Sequence, residues 1–202
     1  YVMDNALGDG LLVGEKATLA SQAAVARASK GRDQPTLQIA ASMRGGSQVR
    51  DLAGVDVMTM PLATAAEARS KLDGRWESKV REVYRVNLAK GVEESRVRLS
   101  TLWDVTDREE KLARSLVDQV PGSAEELVDR AHQLGAGDLF PRLDPADRAA
   151  IAADGKIPKH SRWEERIARG ELAIDTLCTI AGLQSFTADQ EALDQRIRGL
   201  IG

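Results

Sequence analysis

The stretch Gln38 to Pro61, QIAASMRGGSQVRDLAGVDVMTMP, decides how the chain is read. Two short apolar runs, Leu37 to Ala41 and Val55 to Met60, flank a brief polar-apolar segment with glycines at both ends. That pattern predicts strand, short helix, strand, a βαβ unit. Both runs are almost continuously apolar, as expected of parallel strands covered on both faces. The first run stops at Ser42-Met43-Arg44-Gly45-Gly46, where a hydroxyl, a guanidinium and free helix-start amides suit an anion. The plainer reading of the spacing alone, a glycine turn with Arg44 in solvent, stands beside it.

Outward from this unit, Asp4 to Gly14 reads as an irregular loop, with Gly8, Gly10 and Gly14 allowing tight turns. They match neither a P-loop nor a dinucleotide fingerprint. Glu15 to Ser29 and Ala63 to Leu72 are Ala-rich and predict helices before and after the strands. Ser47 is the expected cap of the short helix and Gly54 its stop. From Arg75 onward the pattern is helices and turns, with a domain boundary near Gly74. Trp76, Val80, Val83 and Tyr84 share a helical face, and the run WESKVREVYRVNLAKGVEESRVR reads as a salt-bridged exposed helix. Thr106-x-x-Glu109, Ser123-x-x-Glu126, Ser161-x-x-Glu164 and Thr187-x-x-Gln190 fit capping boxes. Asp144-Pro145 adds a fifth helix start, and Gly135, Gly155 and Gly170 are expected stops.

The composition narrows the classes. The 202 residues carry 28 basic and 31 acidic side chains, so no overall charge attracts nucleic acid or an anionic membrane. No apolar stretch approaches the roughly 20 residues of a membrane span. The single cysteine, Cys178, sits in an apolar run and is read as an inert thiol in a cytoplasmic chain. His132 and His160 lie near no other ligand type at metal spacing and are read as solvated helix residues. Lys16, at the front of a helix, is read as solvated rather than nucleophilic.

The words AASMRGGSQVRDLAGVDVMTMP resemble the transaldolase family. Its late-barrel segment runs as a small-residue strand ending in Ser-aromatic-Arg, a short helix, Ala-Gly-x-Asp, and a strand ending in Pro. Here those positions are Ala40 to Arg44, with Met43 in place of the aromatic, then Ala53 to Asp56 and Thr59 to Pro61. LAIDTL and SFTADQEALDQRI look like the family's closing helix, and Tyr1 to Ser29 is similar to the stretch after its sixth strand.

The resemblance implies an α/β fold: the last strands and helices of a (β/α)8 TIM barrel, followed by a mostly α-helical region. Its parts would be barrel at 1–74, a helical insertion or cap at 75–170, and closing helices at 171–202. It also implies Schiff-base chemistry that transfers or cleaves a dihydroxyacetone unit of a sugar phosphate, with no cofactor and no metal. Ser42 and Arg44 would bind the phosphate. Phe186, with Trp163, is a candidate for closing the site against water. The Schiff-base lysine and the proton shuttles belong to earlier strands, so no catalytic residue is expected in this chain. An N-terminal barrel part is then the expected partner, as a separate chain or as a segment upstream of Tyr1, and oligomer formation stays open. A different class remains beside this one: a non-catalytic barrel remnant whose helical block is an interaction or assembly module.

Overall fold

The computed structural model describes residues 1–72 and 76–201, and the protein is α-rich. It forms two compact units, Gly10–Asn87 and Tyr1–Asp9 with Leu88–Gly202. The expected partition was 1–74, 75–170 and 171–202; its boundary near Gly74 lies outside the described residues.

The first unit holds α1 (Val13–Ala28), β1 (Ile39–Ala40), α2 (Gly46–Asp51), β2 (Val57–Met58) and α3 (Leu62–Lys71). The strands are parallel, with Ile39 opposite Val57 and Ala40 opposite Met58, so the βαβ reading holds for this pair. Among the described residues there is no third strand, only an isolated bridge in the other unit between Gly8 and Leu88. The described residues thus contribute one short parallel pair to an α-rich fold. Nor are the strands covered on both faces. Ala40 is buried against Leu19, Met43, Val49, Leu52 and Ala68, whereas Ile39 is 57% and Val57 38% exposed. The apolar content of the strands is real, but helices cover only one side.

Asp56 ties this unit at its strand starts. One carboxylate oxygen, Oδ2, accepts from the Gln38 amide and from Gln22 Nε2, both at 2.9 Å, and the Asp56 amide donates to Gln22 Oε1. The Gln38 amide first, and Gln22 after it, hold this carboxyl below its ordinary range.

The apolar face Trp76, Val80, Val83, Tyr84 belongs to no helix; residues 76–93 are irregular. Their backbone is engaged elsewhere. The Lys79 amide donates to the Ala53 carbonyl at 2.6 Å, and Tyr84 Oη donates to the Asp51 carbonyl at 2.7 Å, strapping the segment over the end of α2. Val83 is exposed rather than packed, and the expected salt-bridged face reduces to isolated pairs such as Lys79–Glu82. The strap needs Gly54, whose φ is +94° and whose added Cβ would stand 2.3 Å from Ser78 Oγ.

The second unit contains α4 (Glu94–Val97), a 3-10 turn at Leu99–Leu102, α5 (Asp107–Asp118), α6 (Ala124–Gln133), α7 (Pro145–Asp154), α8 (His160–Ala168) and α9 (Ile174–Ile201). Three expected starts are in place. Thr106 and Glu109 form a capping box on α5, Ser123 Oγ accepts from the Glu126 amide on α6, and Asp144 and Asp147 cap α7 reciprocally with Pro145 in the first turn. Gly135, Gly155 and Gly170 follow α6, α7 and α8 with φ between +72° and +77°.

Two boxes and one cap are not realised. Ser47 lies inside α2, whose N-cap is Gly45. Ser161 lies inside α8, because Asn5 Oδ1 accepts the His160 amide at 2.7 Å and the helix starts two residues earlier than that box requires. Thr187 lies in mid-α9, its hydroxyl turned back onto the Leu183 carbonyl at 3.0 Å.

At the centre of this unit Asp138 is 1% exposed. Arg108 grips its carboxylate with both nitrogens at 2.8 and 3.1 Å, and Arg98 adds a third contact at 3.4 Å. Its backbone carbonyl accepts the Ala173 amide just before α9.

Two outcomes follow for stability. Gly54→Ala should cost about 1–3 kcal/mol in urea unfolding of the first unit, since it combines a left-handed φ with a steric overlap. Asp138→Ala should cost about 3 kcal/mol in the second unit, because two guanidinium groups lose a buried counter-charge. A transition unmoved by either substitution would contradict these assignments.

Candidate functional site

The corner after β1 is shaped by Met43. Its side chain is 2% exposed and packs into the core of the first unit, so its neighbours Ser42 and Arg44 are turned outward and are both exposed. A flexible thioether fills this core position. Ser42 has φ +62°, a left-handed conformation uncommon outside glycine. Among the described residues the Arg44 guanidinium makes no hydrogen bond or ion pair; its backbone amide donates to Gln48 Oε1 at 2.7 Å. Gln48 in turn donates through Nε2 to the buried Glu15 at 2.8 Å, fixing the corner to α1.

The expected amide pair is only half available. Glu67 Oε2, from α3, accepts the Gly46 amide at 3.1 Å, and its other oxygen accepts from Lys71 Nζ at 2.9 Å. The chain thus supplies its own carboxylate to the start of α2. Gly46 is small for a second reason: a Cβ there would lie 3.1 Å from the Ala68 amide nitrogen, so α2 starts in close contact with α3. Lys71 first, and the Gly46 amide after it, hold the Glu67 carboxyl below its ordinary range.

The other candidates lie in the helical unit. Phe186 is 64% exposed on α9, with Lys156 Nζ 5.9 Å from the ring centroid. It belongs to a different unit from Ser42 and Arg44, so the structure does not group the three. Trp163 is buried in α8 as a core residue. Burial pushes the half-buried Cys178 thiol above its ordinary value. His132 is exposed in the last turn of α6, as expected.

His160 departs from the solvated reading. It is 6% exposed, its Nδ1 lies 2.8 Å from Tyr1 Oη, and the two rings meet edge to face. Desolvation pushes the imidazole pKa down, against the opposing pull of Glu164. Burial likewise pushes the Tyr1 phenol up. His160 lines a cleft of about 370 Å³ together with Asn5, Glu93, Arg96 and Glu164 among others. Arg96 is paired there with Glu164 and Glu165, at 2.9 and 3.1 Å. No local signal marks this cleft, since Tyr1 and His160 are 159 positions apart. Among the described residues no group of three or more His, Cys, Asp or Glu side chains is placed to hold a metal ion, and no helix is long and apolar enough to cross a membrane.

No protein-family model, curated protein or solved structure matches the chain.

Glu67 has a measurable pH signature. Its pKa is depressed in the folded state, so its contribution is present above the ordinary value of 4.5 and lost as the pH falls through the folded value. Glu67→Gln should therefore lower the urea midpoint of the first unit at neutral pH, with the gap to the parent chain closing in acid. A gap independent of pH would mean that the carboxylate charge is not what caps α2.

Proposed function

We propose that this chain is the C-terminal part of a transaldolase-like Schiff-base enzyme, contributing Ser42 and Arg44 to the phosphate grip and leaving the catalytic lysine to an N-terminal barrel part. The observation that carries the reading is Arg44: an exposed guanidinium, unpaired among the described residues, just beyond the carboxyl end of a parallel strand and two residues before α2 begins. That is where open and closed α/β folds place ligands. A planar fork of donors matches phosphate oxygens in pairs, and the outward Ser42 hydroxyl stands two residues away.

In this reading the chain's residues bind and orient rather than react. The amine that attacks the ketose carbonyl, and the carboxylates that move protons, come from the barrel part this chain lacks. Forming the iminium there provides an electron sink for cleavage of the carbon-carbon bond. Glu67 is the obstacle the phosphate must meet, because it holds the Gly46 amide with a negative charge of its own. Lys71 offsets that charge at 2.9 Å.

Glu67 also favours a second reading. A helix start already filled by an internal carboxylate needs no ligand, which fits a non-catalytic remnant whose helical unit mediates assembly.

Titration of the full chain with inorganic phosphate, followed by amide chemical shifts at the 42–46 corner, separates the two. Saturable shifts that Arg44→Ala weakens about 10- to 100-fold, and that Glu67→Gln strengthens, support the phosphate grip. An absence of saturable shifts in the parent chain would sink it. With the barrel part supplied, borohydride in the presence of a ketose phosphate should trap an adduct on that part and none on this chain.

A further inference from the structure

The last helix carries a surface that its own unit does not use. The first turns of α9 are buried through Ile174, Leu177 and Ala181. Beyond Gly182 almost every residue is exposed, yet Leu183, Phe186, Leu193, Ile197 and Leu200 are 61, 64, 52, 45 and 78% exposed. With Gln190 they fall at spacings of three, four, three, four and three residues, the a and d positions of three heptads. At 100° per residue this stripe lies about 160° around the helix from the buried face, so it points away from the body. A helical segment of this length, standing alone in water, is marginal and gains order mainly from what covers its apolar stripe.

We infer that α9 is a self-association helix that pairs antiparallel with α9 of a second copy of this chain. The charges that flank the stripe select both the partner and the direction. Asp189 and Arg196 occupy successive positions on one flank, and Asp194 lies on the other. An antiparallel pairing that sets Leu183 against Leu200, Phe186 against Ile197 and Gln190 against Leu193 brings Asp189 of each copy beside Arg196 of the other. Two symmetric attractive pairs result. A parallel pairing would set Asp189 against Asp194 and stack Gln190 on Gln190. The antiparallel arrangement also carries Leu200 of each copy back beside Leu183 of the other.

This inference stands apart from the phosphate reading and can fail without it. Sedimentation of the full chain across a concentration series tests it, alongside Asp189→Arg and the double variant Asp189→Arg with Arg196→Asp. All the exchanged side chains are on an exposed helix face, so folding is not at risk. The expected result is a dimer that Asp189→Arg weakens about tenfold, by turning both attractive pairs repulsive, and that the double variant restores. Three outcomes would overturn it. The parent chain could remain monomeric throughout, as it would if the stripe docks on another polypeptide. Asp189→Arg could leave the dimer unchanged. Asp189→Arg could tighten the dimer, the sign of parallel pairing.

Discussion

The helical unit is held by one buried charge. Asp138 is buried at 1% exposure, and its carboxylate is matched by Arg108, which meets both oxygens, and by Arg98, which adds a third contact. Those two arginines come from separate elements: Arg108 from the first turn of α5, Arg98 from the junction between α4 and the 3-10 turn. Arg98 also donates to the Ile167 carbonyl near the end of α8, passing so close to Gly170 that a Cβ there would stand 2.9 Å from its nitrogen. Because the Asp138 backbone takes the Ala173 amide, a single residue sets where α5, α8 and α9 stand relative to one another.

The smaller unit is closed by amide and carboxylate side chains that bond to one another and to backbone amides. Asp56, Gln22 and Gln38 close the strand starts, while Gln48, Glu15 and Glu67 fix the opposite end of the short crossover. Between the two networks runs a thin apolar core of Leu19, Ala40, Met43, Val49, Leu52, Val55 and Ala68. With only one strand face covered, the geometry of the loop after β1 depends on these hydrogen bonds more than on sheet packing. The corner after β1 and the internal carboxylate of Glu67 are therefore one structural unit.

What could be read from the residues alone was what short-range chemistry decides. α1, α3 and the caps at Thr106, Ser123 and Asp144 depend on neighbours within four positions, and all are found; the parallel pair, 18 positions apart, was legible because both apolar runs and the short helix between them lie in one stretch. The outward aim of Ser42 and Arg44 follows once Met43 is taken as core. The remainder was set by partners far along the chain. Glu67 reaches Gly46 across 21 positions and displaces the Ser47 cap; Asn5 reaches His160 across 155 and displaces the Ser161 box. The Val80 to Tyr84 period suggested a helix, but donors committed to Ala53 and Asp51 bend that segment into a strap. Thr187 looked like a helix start, yet no glycine or proline near it actually interrupts α9, and its hydroxyl is satisfied within the helix. The barrel itself rested on resemblance, and two strands of two residues are all that these residues contribute to a sheet.

The Asn5 cap has a consequence for how the protein comes into being. Gly10–Asn87 is a continuous run whose contacts close within itself, so it can fold as soon as it has left the ribosome. The other unit is split around it. Residues 1–9 meet Leu88 and Ala89 early, through the Gly8–Leu88 bridge and the Leu7 carbonyl, but Asn5 finds the His160 amide and Tyr1 the imidazole only once α8 has been synthesised. The order of synthesis therefore places the strand unit first and makes closure of the helical unit the late step, slowed by the long loop that must be spanned.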